Sequence, residues 1–557
     1  MVDKRRITPW LCLFLLLALV GCRLYKVHMS PDSRILAQAR RQYWGRITVD
    51  ATRGVIRDRR GIALALSSPG TSLFVDPEFW SPENATLLKD FLPPQTVSRL
   101  GEKLPGRYFP IERKMDPNEA KKILDMSLPG LFYLKESRRV YPQDEKMAHI
   151  LGYCDVDGNG ISGLELVWND IIHSPKQIRL VAKDAQGRIV DIAAPGERYA
   201  GETAGTVILT VDSRIQHILE ERLEEGMLRN KAKWAAGILL APDTGEVLAM
   251  CSLPGFSPND RTTMTDPETL RNNVIGRVFE PGSTMKPVVM GSAIDMKMIS
   301  LDETFNCTGS VKIADTLIHD ISRHGIVDAR KILIKSCNVG MALLGSRLDP
   351  ERMYNVLRKW GFGGASGIEL PGEESGLLTT PEQWYGSVPS NIAIGQGIGV
   401  TPLQLAAALA AIANGGKIMR PFLVSRVEDR YGETVYTGRP FTRNTVLSTH
   451  TSQWLRSVMT EVVAQGTGSS ARVAGMDIAG KTGTAQVAKK GKYVDDLYVS
   501  SFAGFWPANR PEYLLLVVLG EPSGGQYLGG KVAAPVFRDI VKDMIQMSSW
   551  RNIAGGE

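Results

Sequence analysis

Phe279-Glu280-Pro281-Gly282-Ser283-Thr284-Met285-Lys286-Pro287 decides how the chain is read. Pro281 and Gly282 interrupt what precedes them, so the spacing predicts a helix opening at Ser283. On that helix Ser283 and Lys286 share one face, one turn apart. Pro287 gives up an early-turn hydrogen bond, as suits a helix that begins close to the serine. A serine hydroxyl is a weak nucleophile until a base takes its proton. A lysine can be that base only where burial or a second cation depresses its pKa. The N–H groups of the first turn would favour an oxyanion beside Ser283. Taken alone, the pattern reads equally as a helix cap beside a solvated lysine.

Two further motifs follow in order. Ser336-Cys337-Asn338 falls on a helix expected from Asp328 to Leu348, offering a hydroxyl for proton relay and an amide for a peptide substrate. Lys481-Thr482-Gly483-Thr484 runs into Ala485-Gln486-Val487 and reads as the start of a strand. There Gly483 permits close backbone approach, Thr482 and Thr484 can donate to a carboxylate, and Lys481 is the second cation that Lys286 needs. The bland readings are an ordinary polar helix face and a glycine turn before a strand.

Outward from these motifs, Ala235–Ala241 and Glu246–Cys251 flank Pro242-Asp243-Thr244-Gly245, a hairpin with turn residues at its tip. A helix is expected after Asp212, with Ile215, Leu219, Leu223 and Met227 on one face. Another has Thr401 as N-cap, Pro402 at its first position and Gly415 past its end. Val499–Phe505 and Tyr513–Val518 read as a late hairpin, and a last helix spans about residues 534 to 547. Strands at both ends with helices between them predict an α+β fold whose antiparallel sheet pairs N- and C-terminal segments.

Before Asp212 the texture is mixed, with strand-like pieces at Arg53–Ile56 and Thr206–Thr210 among Gly, Pro and charged turns. At the N-terminus Lys4, Arg5 and Arg6 precede an apolar run from Pro9 to Gly21, and Arg23 is the only charge between Ile7 and Tyr25. A basic flank before an apolar core predicts a secretory signal or a single-pass anchor, with the remainder facing away from the cytosol in either case. Leu19-Val20-Gly21-Cys22 also matches a lipobox, the competing reading of the same stretch. The expected layout is a cytoplasmic tail at 1–8, an anchor at 9–27, a mixed N-terminal domain at 28–230 and the α+β domain at 231–550.

Composition sets the outer bounds. Of 557 residues, 43% are hydrophobic and 22% charged, values of an ordinary globular chain rather than a disordered or fibrous one. The net charge of +7 is spread along the chain, without the concentrated basic face that nucleic acid requires. Six cysteines and seven histidines lie scattered without ligand spacing, so no metal or organic cofactor is expected.

The SxxK, SxN and KTG set resembles the active-serine signature of penicillin-binding proteins and serine β-lactamases. Arg53-Gly-Val-Ile-Arg-Asp-Arg-Arg-Gly61, Gly160-Ile-Ser-Gly-Leu-Glu165 and Leu209-Thr-Val-Asp212 resemble the N-terminal signatures of class B penicillin-binding proteins. Ala393-Ile-Gly-Gln-Gly397, Thr401-Pro-Leu-Gln404 and Gly480-Lys-Thr-Gly-Thr-Ala-Gln486 are similar to their transpeptidase domain. Ser336-Cys-Asn-Val-Gly340 and Ser500–Phe505 look most like the division-specific, septal type, with Cys337 standing where a serine is common.

The resemblance implies a peptidoglycan D,D-transpeptidase with an elongated N-terminal pedestal, a periplasmic catalytic domain and the cytoplasmic membrane as its anchor. Ser283 would attack the penultimate D-Ala carbonyl of a stem peptide, with Lys286 as general base. Ser336 and Lys481 would relay the proton to the leaving group and Asn338 would hold the substrate amide. Thr482, Gly483 and Thr484 would bind the terminal carboxylate, and the N–H groups of Ser283 and Thr484 would form the oxyanion hole. β-Lactams would acylate the same serine. A SEDS-family glycan polymerase and other division proteins are the implied partners. The alternatives are a D,D-carboxypeptidase or β-lactamase on the same fold, or a non-catalytic division scaffold.

Overall fold

The structure is a computed structural model that describes residues 4–29, 44–49, 52–104, 109–173, 177–183, 189–191, 204–489 and 492–554. The first three residues of the expected cytoplasmic tail lie outside the described residues. Two compact units share the chain: Met1–Thr52 with Ser174–Thr203, and Arg53–His173 with Ala204–Glu557.

The smaller unit contains the helix Lys4–Met29 and a three-stranded antiparallel sheet of Trp44–Val49, Gln177–Lys183 and Ile189–Asp191. Within the helix, Pro9–Lys26 is long and apolar enough to cross a membrane.

The larger unit is organised by a five-stranded antiparallel sheet. Its order is Val247–Leu253, Trp234–Leu240, Tyr513–Gly520, Lys492–Trp506 and Ala479–Lys489, so the first hairpin of the α+β fold pairs with the last strands of the chain. Alternation along Trp234–Leu240 explains why every residue of that strand is buried. Ala235 and Leu239 join Leu515, Val517, Leu219, Leu223 and Phe537 on one face. Ala236, Ile238 and Leu240 join Leu514, Leu516 and Leu405 on the other. A sheet covered on both faces reads as a continuous apolar run, as this one does.

Helices Ser213–Arg229 and Gly529–Ala554 supply the first cover. Asp212 caps the former by accepting from Arg214 N. This helix, which the sequence layout put with the N-terminal domain, packs on the sheet of the α+β domain. Helix Pro402–Ala413 supplies the second cover and is buried at all its positions, so it is apolar all round rather than on one stripe. Its start is set by Pro402 and by a reciprocal capping box between Thr401 and Gln404.

A second sheet joins Thr206–Leu209 to Val424–Glu428 on one side and, in parallel, to Ile56–Arg57 on the other. Beside it lies a buried ion cluster. Arg53 Nε donates to Glu165 Oε2 at 2.5 Å and Arg139 Nε to Glu165 Oε1 at 2.7 Å. Arg53 further donates to Gly158 O and Asn169 Oδ1, both at 2.8 Å. Gly54 allows this packing, because a Cβ there would lie 1.8 Å from Gly205 O.

Candidate active site

Three segments far apart in sequence meet against the edge strand of the five-stranded sheet. The first is the turn Gly282–Met285, a tight 3-10 turn that leads into helix Lys286–Asp295. Gly282 has φ +56, and a Cβ on it would lie 2.6 Å from Thr484 O. Its N–H donates to Gly395 O at 2.9 Å. Gly395, at φ +86, comes so close that a Cβ would stand 1.9 Å from Gly282 O. Two glycines therefore let the serine turn fit between the edge strand and the loop after Ala393.

The second segment departs from expectation. The single helix expected from Asp328 to Leu348 is broken in two, Ala329–Lys335 and Asn338–Gly345. Ser336 occupies the left-handed region at φ +58 and ends the first helix. Cys337 starts the second, its Sγ accepting from Gly340 N at 3.3 Å. In a continuous helix the Ser336 carbonyl would accept from that same N–H. Releasing it lets Ser336 O face Lys286 Nζ at 2.6 Å. A non-glycine residue held at positive φ stores strain of about 1–3 kcal/mol, and such residues cluster at functional sites.

The third segment is strand Ala479–Lys489, which pairs with Lys492–Trp506 in the register Lys481↔Ala503, Gly483↔Ser501 and Thr484↔Ser500. It lies at the end of the sheet order, so its outer edge has no strand neighbour in this sheet. Gly483 is required by crowding: a Cβ would lie 2.3 Å from Ser501 Oγ and 2.9 Å from Pro281 O.

These segments bring Ser283, Lys286, Ser336, Asn338, Lys481, Thr482, Gly483 and Thr484 into one site. Lys286 and Lys481 are both fully buried. Lys481 Nζ donates to Ser336 Oγ at 3.0 Å, and Lys286 Nζ approaches the same oxygen at 3.4 Å. One hydroxyl thus stands between two amines. Burial pulls the Lys286 pKa down to about 8, partly opposed by the nearby Asp320 carboxylate. Burial and the charge of Lys286 push Lys481 well below the usual lysine value. Depressed lysines are what an amine base and a proton relay need.

Ser283 is half-buried, and among the described residues no hydrogen bond joins its hydroxyl to Lys286. Without substrate, catalytic hydrogen bonds are often loose and tighten in the complex. Asn338 Oδ1 accepts from Lys286 Nζ at 2.6 Å and its Nδ2 donates one of its two protons to His319 O at 2.9 Å, which leaves the other for a ligand. Thr482 Oγ1 pairs with Thr467 Oγ1 at 2.9 Å, and Thr484 Oγ1 accepts from Gly529 N at 2.9 Å. The second leaves the Thr484 hydroxyl proton available to a ligand.

Sequence spacing missed several residues here. Glu280 accepts from Gly397 N at 2.8 Å and from Tyr493 OH at 3.1 Å, tying the serine turn to a distant loop and to the start of strand Lys492–Trp506. Asp320 accepts from Asn338 N at 2.8 Å and Thr467 meets Thr482. Nothing local in the sequence announces these partners, which lie far from them along the chain.

A serine in the turn that leads into a helix, two depressed lysines about one hydroxyl, and a strand at the end of its sheet form an arrangement able to support serine acyl transfer on an α+β scaffold. Residues 235–542 match the penicillin binding protein transpeptidase domain and residues 48–204 the penicillin-binding protein dimerisation domain. The chain belongs to the penicillin-binding protein transpeptidase family, as one of its class B members.

Among its relatives, the probable peptidoglycan D,D-transpeptidase PenA of Neisseria meningitidis serogroup A is 33% identical over 501 residues, 89% of this chain and 84% of PenA. Peptidoglycan D,D-transpeptidase FtsI of Escherichia coli K12 is 32% identical over 89% of this chain and 84% of FtsI. Stage V sporulation protein D of Bacillus subtilis is 30% identical over 98% and 86%. Penicillin binding protein 3 of Mycobacterium tuberculosis, solved in complex with aztreonam, superposes with a TM-score of 0.70 at 28% identity, covering 90% of this chain and 97% of that one.

Proposed function

We propose that this chain is a membrane-anchored peptidoglycan D,D-transpeptidase that cross-links stem peptides in septal wall synthesis through an acyl-enzyme on Ser283. The observation that carries the mechanism is Ser336 Oγ set between the two buried amines of Lys286 and Lys481. Ser283 Oγ attacks the penultimate D-Ala carbonyl as its proton passes to neutral Lys286 Nζ. The developing oxyanion lies against the N–H groups of Ser283 and Thr484. Collapse breaks the C–N bond, and the leaving D-Ala nitrogen takes a proton through Ser336 Oγ, which Lys481 keeps supplied. The amine of a second stem then attacks the ester, returning the proton to Ser283 Oγ by the reverse route.

An extended donor peptide fits the unpaired edge of Ala479–Lys489 as an added strand. Thr484, with Thr482 and the close approach at Gly483, receives its terminal carboxylate. β-Lactams acylate the same serine. Asn338 holds Lys286 in place through Oδ1 and keeps one Nδ2 proton for the substrate amide. The division into a tail at 1–8, an anchor at 9–27, a pedestal at 28–230 and a catalytic domain at 231–550 belongs to the same reading. So do an orientation with the catalytic domain outside the cytoplasmic membrane and contacts with a SEDS-family polymerase and division proteins.

The test uses the purified chain and a thioester stem-peptide mimic, with and without a D-amino-acid acceptor. Transpeptidation gives the exchanged amide with acceptor present, whereas hydrolysis alone in both arms would make the enzyme a carboxypeptidase. Intact mass of the membrane-extracted protein tests the anchor. Retention of Met1 or Val2 supports it, and an acylated N-terminus at Cys22 overturns it.

A further inference from the structure

Cys307, Asp320 and Cys337 have no place in the acyl-transfer chemistry, yet they converge directly behind the helix break that presents Ser336 and Asn338. Cys307 ends strand Thr304–Cys307, Asp320 follows strand Thr316–His319, and Cys337 starts helix Asn338–Gly345. Both thiols are buried, at 1% and 0% exposure, and the Asp320 side chain is 2% exposed. One donor atom from each lies within 4.8 Å of the other two.

From these residues we infer a site for a thiophilic divalent cation, with zinc the fitting ion. Two sulfurs and a carboxylate oxygen form a soft, tetrahedral-type donor set. Cys307 Sγ stands 3.4 Å from Asp320 Oδ2. Ligand bonds of about 2.3 Å to sulfur and 2.0–2.2 Å to oxygen at tetrahedral angles place such atoms about 3.5 Å apart. The carboxylate is oriented as a metal ligand's is, by N–H donation from Asn338 at 2.8 Å and Val339 at 3.4 Å. His324 Nε2 lies 3.5 Å from Asp320 Oδ1 but outside the mutual 4.8 Å of the three donors, which leaves the fourth position to water.

Asp320 already accepts from Asn338 N, Val339 N and the Cys307 thiol; a cation would take the place of the thiol proton and use all three groups at once. On binding, two thiol protons pass to solvent and two S–metal bonds form. Two thiols with one carboxylate carry one negative charge, and so do a dication, two thiolates and one carboxylate. The ion therefore pins the break between the two helices without changing the net charge felt by Lys286. The effect falls on rigidity rather than on the acyl-transfer chemistry.

The test is a cobalt titration of the reduced, detergent-solubilised full chain carrying Cys12→Ala and Cys22→Ala, with folding checked by penicillin labelling. One equivalent of cobalt should give a thiolate-to-cobalt charge-transfer band that zinc displaces, and zinc should raise the melting temperature. Cys307→Ser or Cys337→Ser should abolish the band, whereas Cys154→Ser and Cys251→Ser keep it. Asp320→Asn retains both thiols and should weaken cobalt binding by about tenfold or more. It covers the case in which a serine variant fails to fold. The inference is overturned if the reduced chain gives no band, if the band survives both serine variants, or if Asp320→Asn binds cobalt as tightly as the parent. A Cys307–Cys337 disulfide that forms in air and expels bound zinc overturns it as well.

Discussion

Two regions of this molecule bury several charged side chains, and they treat them in opposite ways. In the N-terminal part Arg53 and Arg139 close on the carboxylate of Glu165, so the charges are matched out of water. In the active site Lys286 and Lys481 are buried about a single hydroxyl, and none of their hydrogen bonds goes to a carboxylate. Burial alone would push the Glu165 pKa up, but Arg139 and then Arg53 outweigh it and hold the group below the usual carboxylate value. Burial meets no such opposition at Lys481 and only part of one, from Asp320, at Lys286. Matched charges stay charged and act as structure. Unmatched amines are held below the usual lysine value, as an amine base or a proton relay would require.

The largest effect separates the two regions by activity. Ser283→Ala should abolish labelling by a fluorescent penicillin while leaving the melting temperature near that of the parent. Lys286→Arg keeps the charge but cannot release its proton, so acylation should fall by about 10²–10⁴-fold. Near-parental acylation by the arginine variant would remove Lys286 from the general-base role.

In the matched region the corresponding change should read out in stability. Glu165→Gln leaves two buried guanidiniums without their counter-charge and should cost about 3–5 kcal/mol in urea unfolding. The fraction that stays folded should acylate at the parental rate. A loss below about 1 kcal/mol, the range of an exposed pair, would mean that solvent reaches the cluster and the contrast is false.

The pH dependence sharpens the comparison, because the two regions titrate in different windows. An unfolded lysine titrates near about 10.4 and folded Lys286 at about 8, so between these values the unfolded chain binds more protons. Stability should therefore rise with pH across that window, by roughly 3 kcal/mol from Lys286, with a rise of the same sign from Lys481. Acylation needs the neutral amine and should rise through pH 8 with the same group. Glu165 is displaced in the same direction, downward from its own reference, but in the acid range. Its contribution is present above the ordinary carboxylate value and is lost as pH falls through the lowered one. Lys286→Met should reduce the alkaline rise to the part that the depressed Lys481 supplies and leave the acid loss intact. An alkaline rise of unchanged size in that variant would assign it to another group.

What could be read from the sequence follows the range of the interactions involved. Glycine, proline and cap residues act within a turn, so the helix at Pro402, the hairpin at Pro242–Gly245 and the start of the helix after Asp212 were legible. The pairing of early and late strands was legible from their apolar runs. The helix break at Ser336 was not, because Ser336-Cys337-Asn338 contains neither glycine nor proline, and the break is held by distant partners. Lys286 takes the freed carbonyl and Asp320 takes the N–H of Asn338. The same limit hid the contact of the Asn338 amide with Lys286 and the meeting of Cys307 with Cys337. The site's residue types could be read along the chain, but their hydrogen bonds depend on how the chain closes.

The smallest expected effect makes the finest cut, because each region has one asparagine serving its charges. Asn169 Oδ1 accepts from Arg53 Nη1 at 2.8 Å and from Gly160 N at 3.0 Å. Asn338 Oδ1 accepts from Lys286 Nζ at 2.6 Å. Replacing either by alanine leaves a buried donor short of an acceptor, at about 1–3 kcal/mol. By denaturant midpoint the two variants should look alike. By acylation rate they should differ. Asn169→Ala leaves the active site untouched, whereas Asn338→Ala frees Lys286 from its anchor and should slow acylation about tenfold or more, since small misplacements of a catalytic group carry such losses. Equal slowing in both variants would show that the loss comes from general loosening of the fold, and the division of labour between matched and unmatched charges would fall with it.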